Sequence, residues 1–384
     1  MIQTRIIGGI PTQIEELNCS SIFLIMFFFL NFYVKTIKGE NMKFLKTTTL
    51  IALFCSIAFS NMDRIGALGG NPGFWPEDDA NINMFPTMVN NLDMIQVSGA
   101  GSESGDAMVI WGENTTWGFG FNGSDEDDNN DWLNLMWGNG NYGVLFNLGM
   151  DSEKDDNLGT ETSSFGLEMG VGMNTSYGEW GVMFATQNSD DGTDADQPSA
   201  FGVALNFRGK QSAWLFDNML SRFHYISVTQ GDALLNDMLI SVDYFTSMPT
   251  FDGVSATFAM GFGFESDTFN AGLGGDDIVS TKITLPQVTL GVEADVTDWA
   301  KVRFGLNHAY VLSGSEGDDY TWSGAVDEDG ESNFGWNFGL GFDYGTFTLD
   351  MVLENTNLFN DPVRYITGQN NEALSSSATL TWSF

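Results

Sequence analysis

The sequence has few cysteines, few prolines, few basic residues and no long apolar run beyond its first sixty residues. Both cysteines, Cys19 and Cys55, lie before residue 60, so the rest of the chain forms no disulfide and no cysteine-ligated metal site. The 14 basic residues oppose 51 acidic ones, a formal charge of −37, which excludes nucleic acid as a partner because like charges repel. No stretch after residue 60 reaches the roughly 18 apolar residues of a transmembrane helix.

The residues that are abundant indicate β-structure. The chain has 45 glycines, only 8 prolines and 14% aromatic residues. Disordered chains are poor in aromatics, and long strands tolerate little proline. The composition therefore favours a folded, strand-rich protein.

The first sixty residues read as a leader. Residues 42–46 carry two lysines, residues 50–58 are apolar, and Ala58 and Ser60 form a small-x-small cleavage site. We therefore expect a secretory signal peptide over residues 42–60. A lipoprotein anchored through Cys55 is the alternative, although Phe54 stands where a lipobox has a small residue.

Residues 1–41 contain an apolar run, residues 22–30, which is too short to cross a bilayer. We expect translation to begin at Met42, so that residues 1–41 are a spurious extension. An inner-membrane anchor is the alternative.

The last eleven residues, 374–384, alternate between one apolar and one polar face, as an extended chain requires. Leu380, Trp382 and Phe384 share the apolar face with Ala378. This terminal aromatic strand resembles the closing strand of a Gram-negative outer-membrane β-barrel. The resemblance implies a porin-like fold, outer-membrane lipid and the barrel-assembly machinery as partners, and a homotrimer as one oligomeric state to test. An edge strand of a soluble sandwich is the alternative.

From residue 92 to residue 384, strand-like runs are joined by connections that are alternately short and long. The acidic residues fall mostly in the long connections, for example residues 124–130. This layout predicts an all-β fold, a transmembrane antiparallel up-and-down barrel of about sixteen strands, with fourteen as the next choice. Short turns would face the periplasm and long loops the exterior. Residues 213–220 are left open as a strand or a short interfacial helix.

Individual strands carry large apolar residues on one face, as lipid contact requires. In residues 334–344 every even position is large and apolar. Tryptophans near strand ends are typical of interfacial girdles. The candidates are Trp117, Trp132, Trp137, Trp180, Trp299, Trp336 and Trp382.

Residues 61–91 contain Leu68-Gly-Gly70, Asp78-Asp-Ala-Asn81 and Phe85-Pro86 in that order. The order resembles the N-terminal segment of FadL-like and PorV-like barrels, which lies inside the barrel as a hatch. A plain periplasmic lead-in to the first strand is the alternative.

Few residues suggest covalent chemistry or metal binding. Residues 118–123 match G-x-G-x-x-G, but an acidic run follows them instead of a phosphate-binding helix. His308 or His224 could serve a barrel hydrolase, yet a lumen or rim position is the simpler interpretation. Asp190, Asp191, Asp194 and Asp196 lack EF-hand spacing, so loose Ca²⁺ binding is the most we expect there. We predict no enzyme and no cofactor.

The parity of the strands places several charged residues on the inner wall. The pore-lining candidates are Glu168, Glu293, Asp295, Asp343, Asp350 and Arg303. Excess acid in a lumen attracts cations. We therefore predict a porin-like channel for passive diffusion of small solutes, preferring cations, in the outer membrane of a Gram-negative bacterium. The alternatives are a FadL-like transporter of hydrophobic solutes and a non-conducting barrel that acts as a surface scaffold or secretion partner.

Overall fold

A computed structural model describes residues 62–99, 105–122, 132–155, 160–190, 197–272, 277–317, 320–324, 334–353 and 375–384. Seventeen strands form one antiparallel sheet in these residues. They are β1 Met94–Ser98, β2 Asp106–Trp111, β3 Thr116–Asn122, β4 Trp132–Gly138, β5 Tyr142–Asp155, β6 Thr160–Thr175, β7 Gly178–Asp190, β8 Ser199–Ala213, β9 Phe216–Gln230, β10 Ala233–Ser247, β11 Val254–Ala271, β12 Ile278–Thr297, β13 Ala300–Glu316, β14 Tyr320–Gly324, β15 Phe334–Tyr344, β16 Phe347–Leu353 and β17 Ser375–Ser383.

The sheet closes because β1 pairs with both β2 and the last strand, β17. Met94 lies opposite Ser383, and Val97 lies opposite Leu380. Every other strand pairs with its sequence neighbours, apart from the interrupted position described next. The result is an up-and-down barrel with no free edge in the transmembrane wall, which satisfies the backbone hydrogen bonds that lipid cannot.

Two strands, β14 and β15, share one position beside β13. Strand β14 pairs with residues 311–316 of β13, and β15 pairs with residues 300–308. Seventeen strands therefore occupy sixteen positions around the barrel. The predicted fold class and strand number are confirmed.

The seven connections at one end of the barrel are short, and the N- and C-terminal ends of the sheet lie at this same end. We call it the short-turn end and the opposite end the long-loop end. One of them corrects a prediction. Residues 213–220 are neither one strand nor a helix, because β8 ends at Ala213 and β9 begins at Phe216. Trp214 turns the chain between them with a φ of 56°.

Side chains alternate between the two faces of the wall as the sequence pattern predicts. On β17, Thr379 is buried inside the barrel, whereas Leu380 and Trp382 are exposed on the outside. On β6, Phe165, Met169 and Val171 are likewise exposed outside. The outer surface is therefore apolar and suited to hydrocarbon.

Residues 62–93, which we call the plug, fold inside the barrel at its short-turn end. They comprise helix α1, Met62–Ala67, and three 3-10 turns, Pro72–Phe74, Asp79–Asn83 and Pro86–Asn91. The side chain of Asn71 accepts a hydrogen bond from Gly73 N at 3.0 Å, and that of Asp78 accepts one from Ala80 N at 2.9 Å, so each starts its turn as an N-cap. Among the described residues, no helix has the length and hydropathy needed to cross a bilayer.

Candidate functional site

The plug is held first by apolar packing against the inner wall. Phe85 is fully buried, and Phe74 packs on Phe245 with ring centroids 5.4 Å apart. Elsewhere Ile82, Met88 and Val89 of the plug form one cluster with wall residues. Burial of one such side chain is worth about 1.5–3 kcal/mol, so the plug is a packed part of the fold.

Inward-facing glycines of the wall give the plug backbone room to approach. At each of these glycines an added Cβ would meet a plug atom at less than ordinary contact distance. The pairs are Gly143 with Pro86, Gly172 with Thr87, Gly181 with Met84, Gly305 with Gly69, and Gly339 with Ala67. These five strand glycines therefore leave the space that the plug occupies, which explains why glycine stands at those positions.

A chain of buried ion pairs joins the plug to β12, β13 and β16. Arg64, the only basic residue of the plug, pairs with Asp78 and, at 3.1 Å, with Glu293. Glu293 also accepts from Arg303, 2.5 Å away, and Arg303 pairs in turn with Asp350. Mutual pairing offsets the cost of burying these charges, and removing one partner would leave another uncompensated.

A second set of contacts joins the plug to β7 and β8 through Arg208. Its guanidinium donates to Asn81 Oδ1 at 2.7 Å and to the carbonyl of Gly73 at 3.3 Å. It also pairs with Glu179 at 2.5 Å and lies 4.4 Å from the centroid of the Phe85 ring. One buried wall cation therefore holds a side chain, a backbone carbonyl and an aromatic ring of the plug.

The predicted pore-lining residues lie on the inner wall, but the structure divides them into groups. Glu293, Asp350 and Arg303 belong to the buried ion-pair chain. Asp343 pairs with Lys301 at 2.9 Å near the short-turn end, and Asp295, opposite Lys301 in register, is exposed there. Glu168 lies deeper in the barrel than all of these, next to Asn147.

Beyond the plug, toward the long-loop end, the inner wall of β9–β12 is rich in charge. Three pairs cross neighbouring strands there. They are Arg222 with Asp243 at 3.3 Å, His224 with Asp237 at 2.5 Å, and Lys282 with Glu265 at 3.0 Å. Asp267 on β11 lies directly across from Asp237 on β10, so two acidic side chains face each other there. The balance on this wall is negative.

The aromatic residues form an outer girdle chiefly at the short-turn end. Trp117, Trp180, Trp299 and Trp382 are exposed there. Trp137 also lies near this end, Trp336 lies toward the other end of β15, and the side chain of Trp132 is outside the described residues. Sequence reasoning missed Trp111, which lies opposite Trp117 in register. It also missed Arg64, because a lone arginine in a one-turn-and-a-half helix, Met62–Ala67, gives no periodic signal.

The residues considered for chemistry are not brought together. His308 lies on the outward-facing set of β13, with its ring 6.0 Å from that of Phe334. Asp190 ends β7, and Asp191, Asp194 and Asp196 lie outside the described residues. Within the described part of the chain, no three acidic, histidine or cysteine residues are grouped as a metal site would require.

The plug contains a carboxyl group that should make closure depend on pH. Burial, helped by the neighbouring Asp78 carboxylate, raises the pKa of Asp79 from 3.8 to about 8. The docked plug then keeps a proton that the undocked plug loses, so docking is strongest below pH 4 and weakens as the pH rises toward 8 and beyond. We expect release of the plug, followed as conductance of the protein in planar bilayers, to be more frequent at pH 9 than at pH 6, and Asp79→Asn to abolish that dependence. An unchanged pH response in Asp79→Asn would contradict this.

The geometry defines the class of the protein. A closed antiparallel barrel with an apolar outer surface, an aromatic girdle and a polar inner wall suits one solvent, the lipid bilayer. The chain is a Gram-negative outer-membrane β-barrel with residues 62–93 inside.

No family model and no curated protein matches the chain. Among solved structures it is similar to CdiB from Acinetobacter baumannii, with 10% identity and a TM-score of 0.39 over 76% of this chain and 59% of CdiB. It is similar to BamA from Haemophilus ducreyi lacking POTRA domains 1–3, with 7% identity and a TM-score of 0.36 over 76% and 70% of the two chains. It is also similar to a Pseudomonas aeruginosa FadL homologue, with 10% identity and a TM-score of 0.27 over 85% and 98%. Identities this low carry no information about function.

Proposed function

We propose that the protein is a gated diffusion channel for small, mainly cationic solutes, which pass when the plug moves. The supporting observation is the plug itself, which occupies the short-turn end of the lumen and is fastened by buried ion pairs at Arg64 and Arg208. A pore that is open at all times would not need them. Covalent chemistry and a resident cofactor form no part of the proposal.

The preference for cations rests on the wall beyond the plug. Glu293 and Asp350 are neutralised by arginines and contribute little field. Among the described residues of β9–β12 beyond the plug, the carboxylates Asp237, Asp243, Glu265 and Asp267 outnumber the basic residues Arg222, His224 and Lys282, and Glu168 adds a carboxylate on β6. A net negative lumen concentrates cations and repels anions.

The proposal is tested by planar-bilayer recording of the full-length protein and of Arg64→Met. Methionine keeps the apolar stem but leaves Asp78 and Glu293 without their shared cation. We expect rare, cation-selective openings for the wild type and frequent openings with the same reversal potential for Arg64→Met. If neither protein conducts, the non-conducting scaffold is favoured.

A hydrophobic cargo is the second candidate, because one part of the inner wall is apolar. Ala200 and Val228 are buried inside the barrel near the long-loop ends of β8 and β9, and Ile226 and Leu235 pack against them. Saturable binding of a fluorescent long-chain acyl probe, lost in Val228→Asn, would favour this cargo over small cations.

A further inference from the structure

Three polar side chains on β5, β6 and β7 face the interior just above the apolar layer that touches the plug. Asn147 and Glu168 lie directly opposite each other in register. Gln187 lies two residues beyond Ala185, which is the partner of Glu168 on β7. Below them, Leu145 and Met183 belong to the cluster that contains Ile82 and Val89 of the plug.

Two of these side chains are buried with hydrogen-bonding capacity left over. Asn147 is fully buried, and its Nδ2 donates to Glu168 Oε2 at 2.9 Å, which turns its Oδ1 away from that carboxylate. Among the described residues, Asn147 Oδ1 has no donor, and Nε2 of Gln187, which is 2% exposed, has no acceptor. A buried polar group without a partner is unfavourable, and a ligand with the matching groups would remove that cost.

The hydrogen-bonding groups of the three side chains match one class of ligand. Glu168 and Asn147 Oδ1 together accept hydrogen bonds and carry negative charge, so they match an ammonium group. Gln187 Nε2 donates and matches a carboxylate oxygen. Glu168 and Gln187 are diagonal neighbours on β6 and β7, a pairing in which residues lie about 7–8 Å apart, within the span of one small ligand. Even with both oxygens of Glu168, the three side chains offer four oxygens, fewer than the about 6–8 that Ca²⁺ takes.

We propose that Asn147, Glu168 and Gln187 form a binding subsite for a small zwitterion of the α-amino-acid type. The half-buried carboxylate of Glu168 is its side facing the lumen. The inference rests on the proposed function and extends it, since it adds a zwitterion, which has an ammonium group but no net charge, to the cations that the lumen would admit.

The test is calorimetric titration of the full-length barrel in detergent with glycine, methylammonium chloride and sodium acetate. We expect glycine to bind more tightly than methylammonium, and acetate to give no signal. Glu168→Gln should weaken glycine and methylammonium by about tenfold or more, because a hydrogen bond to a charged group is worth about 1.5–3 kcal/mol. Gln187→Leu should lower only the affinity for glycine, to about the affinity for methylammonium.

Glu265→Gln is the matched control, since it removes an inner-wall carboxylate on β11 outside this cluster and should leave glycine affinity unchanged. Unheated electrophoretic mobility confirms that each variant barrel is closed. Equal loss in Glu168→Gln and Glu265→Gln, or no glycine heat in the wild type, overturns the subsite. Neither result affects the bilayer test, so the channel and its subsite fail separately.

Discussion

Replacing Arg208 with leucine should release the plug and open the proposed channel. Leucine removes the donors to Asn81 and to the Gly73 carbonyl and the cation over the Phe85 ring. It also leaves the Glu179 carboxylate inside the barrel without its cation. Breaking a buried pair on one side costs about 3–5 kcal/mol, equivalent to a hundredfold or larger rise in the population of the undocked plug.

Trypsin reports this population directly, because Arg64 is the only basic residue between residues 62 and 93. We expect cleavage after Arg64 to accelerate about a hundredfold in Arg208→Leu where cleavage follows transient opening, with a parallel rise in bilayer conductance. Lys301→Leu is the control, since its pair with Asp343 is about one third exposed on both sides and should be worth no more than about 1 kcal/mol. Equal cleavage of the two variants would contradict the assigned role of Arg208.

The barrel itself could be predicted because apolar and small or polar residues alternate along its strands with a period of two. Phe334, Phe338 and Phe342 lie outside β15, and Gly335, Gly339 and Gly341 lie inside, as their parity requires. A slip of one residue would reverse both faces, so one strong strand fixes its neighbours. Strand ends were harder to place. Strand β11 continues to Ala271 with outward Ser266 and Thr268, which are too polar to mark a lipid-facing strand.

The site could be predicted only in part, because its key contacts join distant residues. Arg64 and Glu293 are 229 positions apart, and Thr379 donates to Asp63 from 316 positions away. Parity correctly placed Glu293 and Asp350 inside the barrel. It could not show that Arg64 of the plug and Arg303 of β13 pair with them, so that Glu293 fastens the plug, whereas the acids above the plug remain for the lumen field that we propose.

A steric change should release the plug, and so open the proposed channel, without altering any charge. In Gly181→Ala the new Cβ would overlap the carbonyl oxygen of Met84, a backbone atom that cannot rotate aside. Overpacking of this kind costs about 1–3 kcal/mol, and the plug can avoid it by leaving while the wall stays intact. We expect faster trypsin cleavage after Arg64 and more frequent openings. Gly105→Ala is the control, because its Cβ would lie 3.7 Å from the nearest atom, Ser98 O.

The two routes to release should combine. Arg208→Leu acts through charge and Gly181→Ala through volume, yet both act on one event, the departure of the plug. Because both shift the same docking equilibrium, their free energies should add, and the fractions of undocked plug should multiply while the plug stays mostly docked. If the double variant releases the plug no more often than the better single variant while release is still rare, the two changes do not act on one docking equilibrium, and a plug that moves as one body is the wrong description of its release.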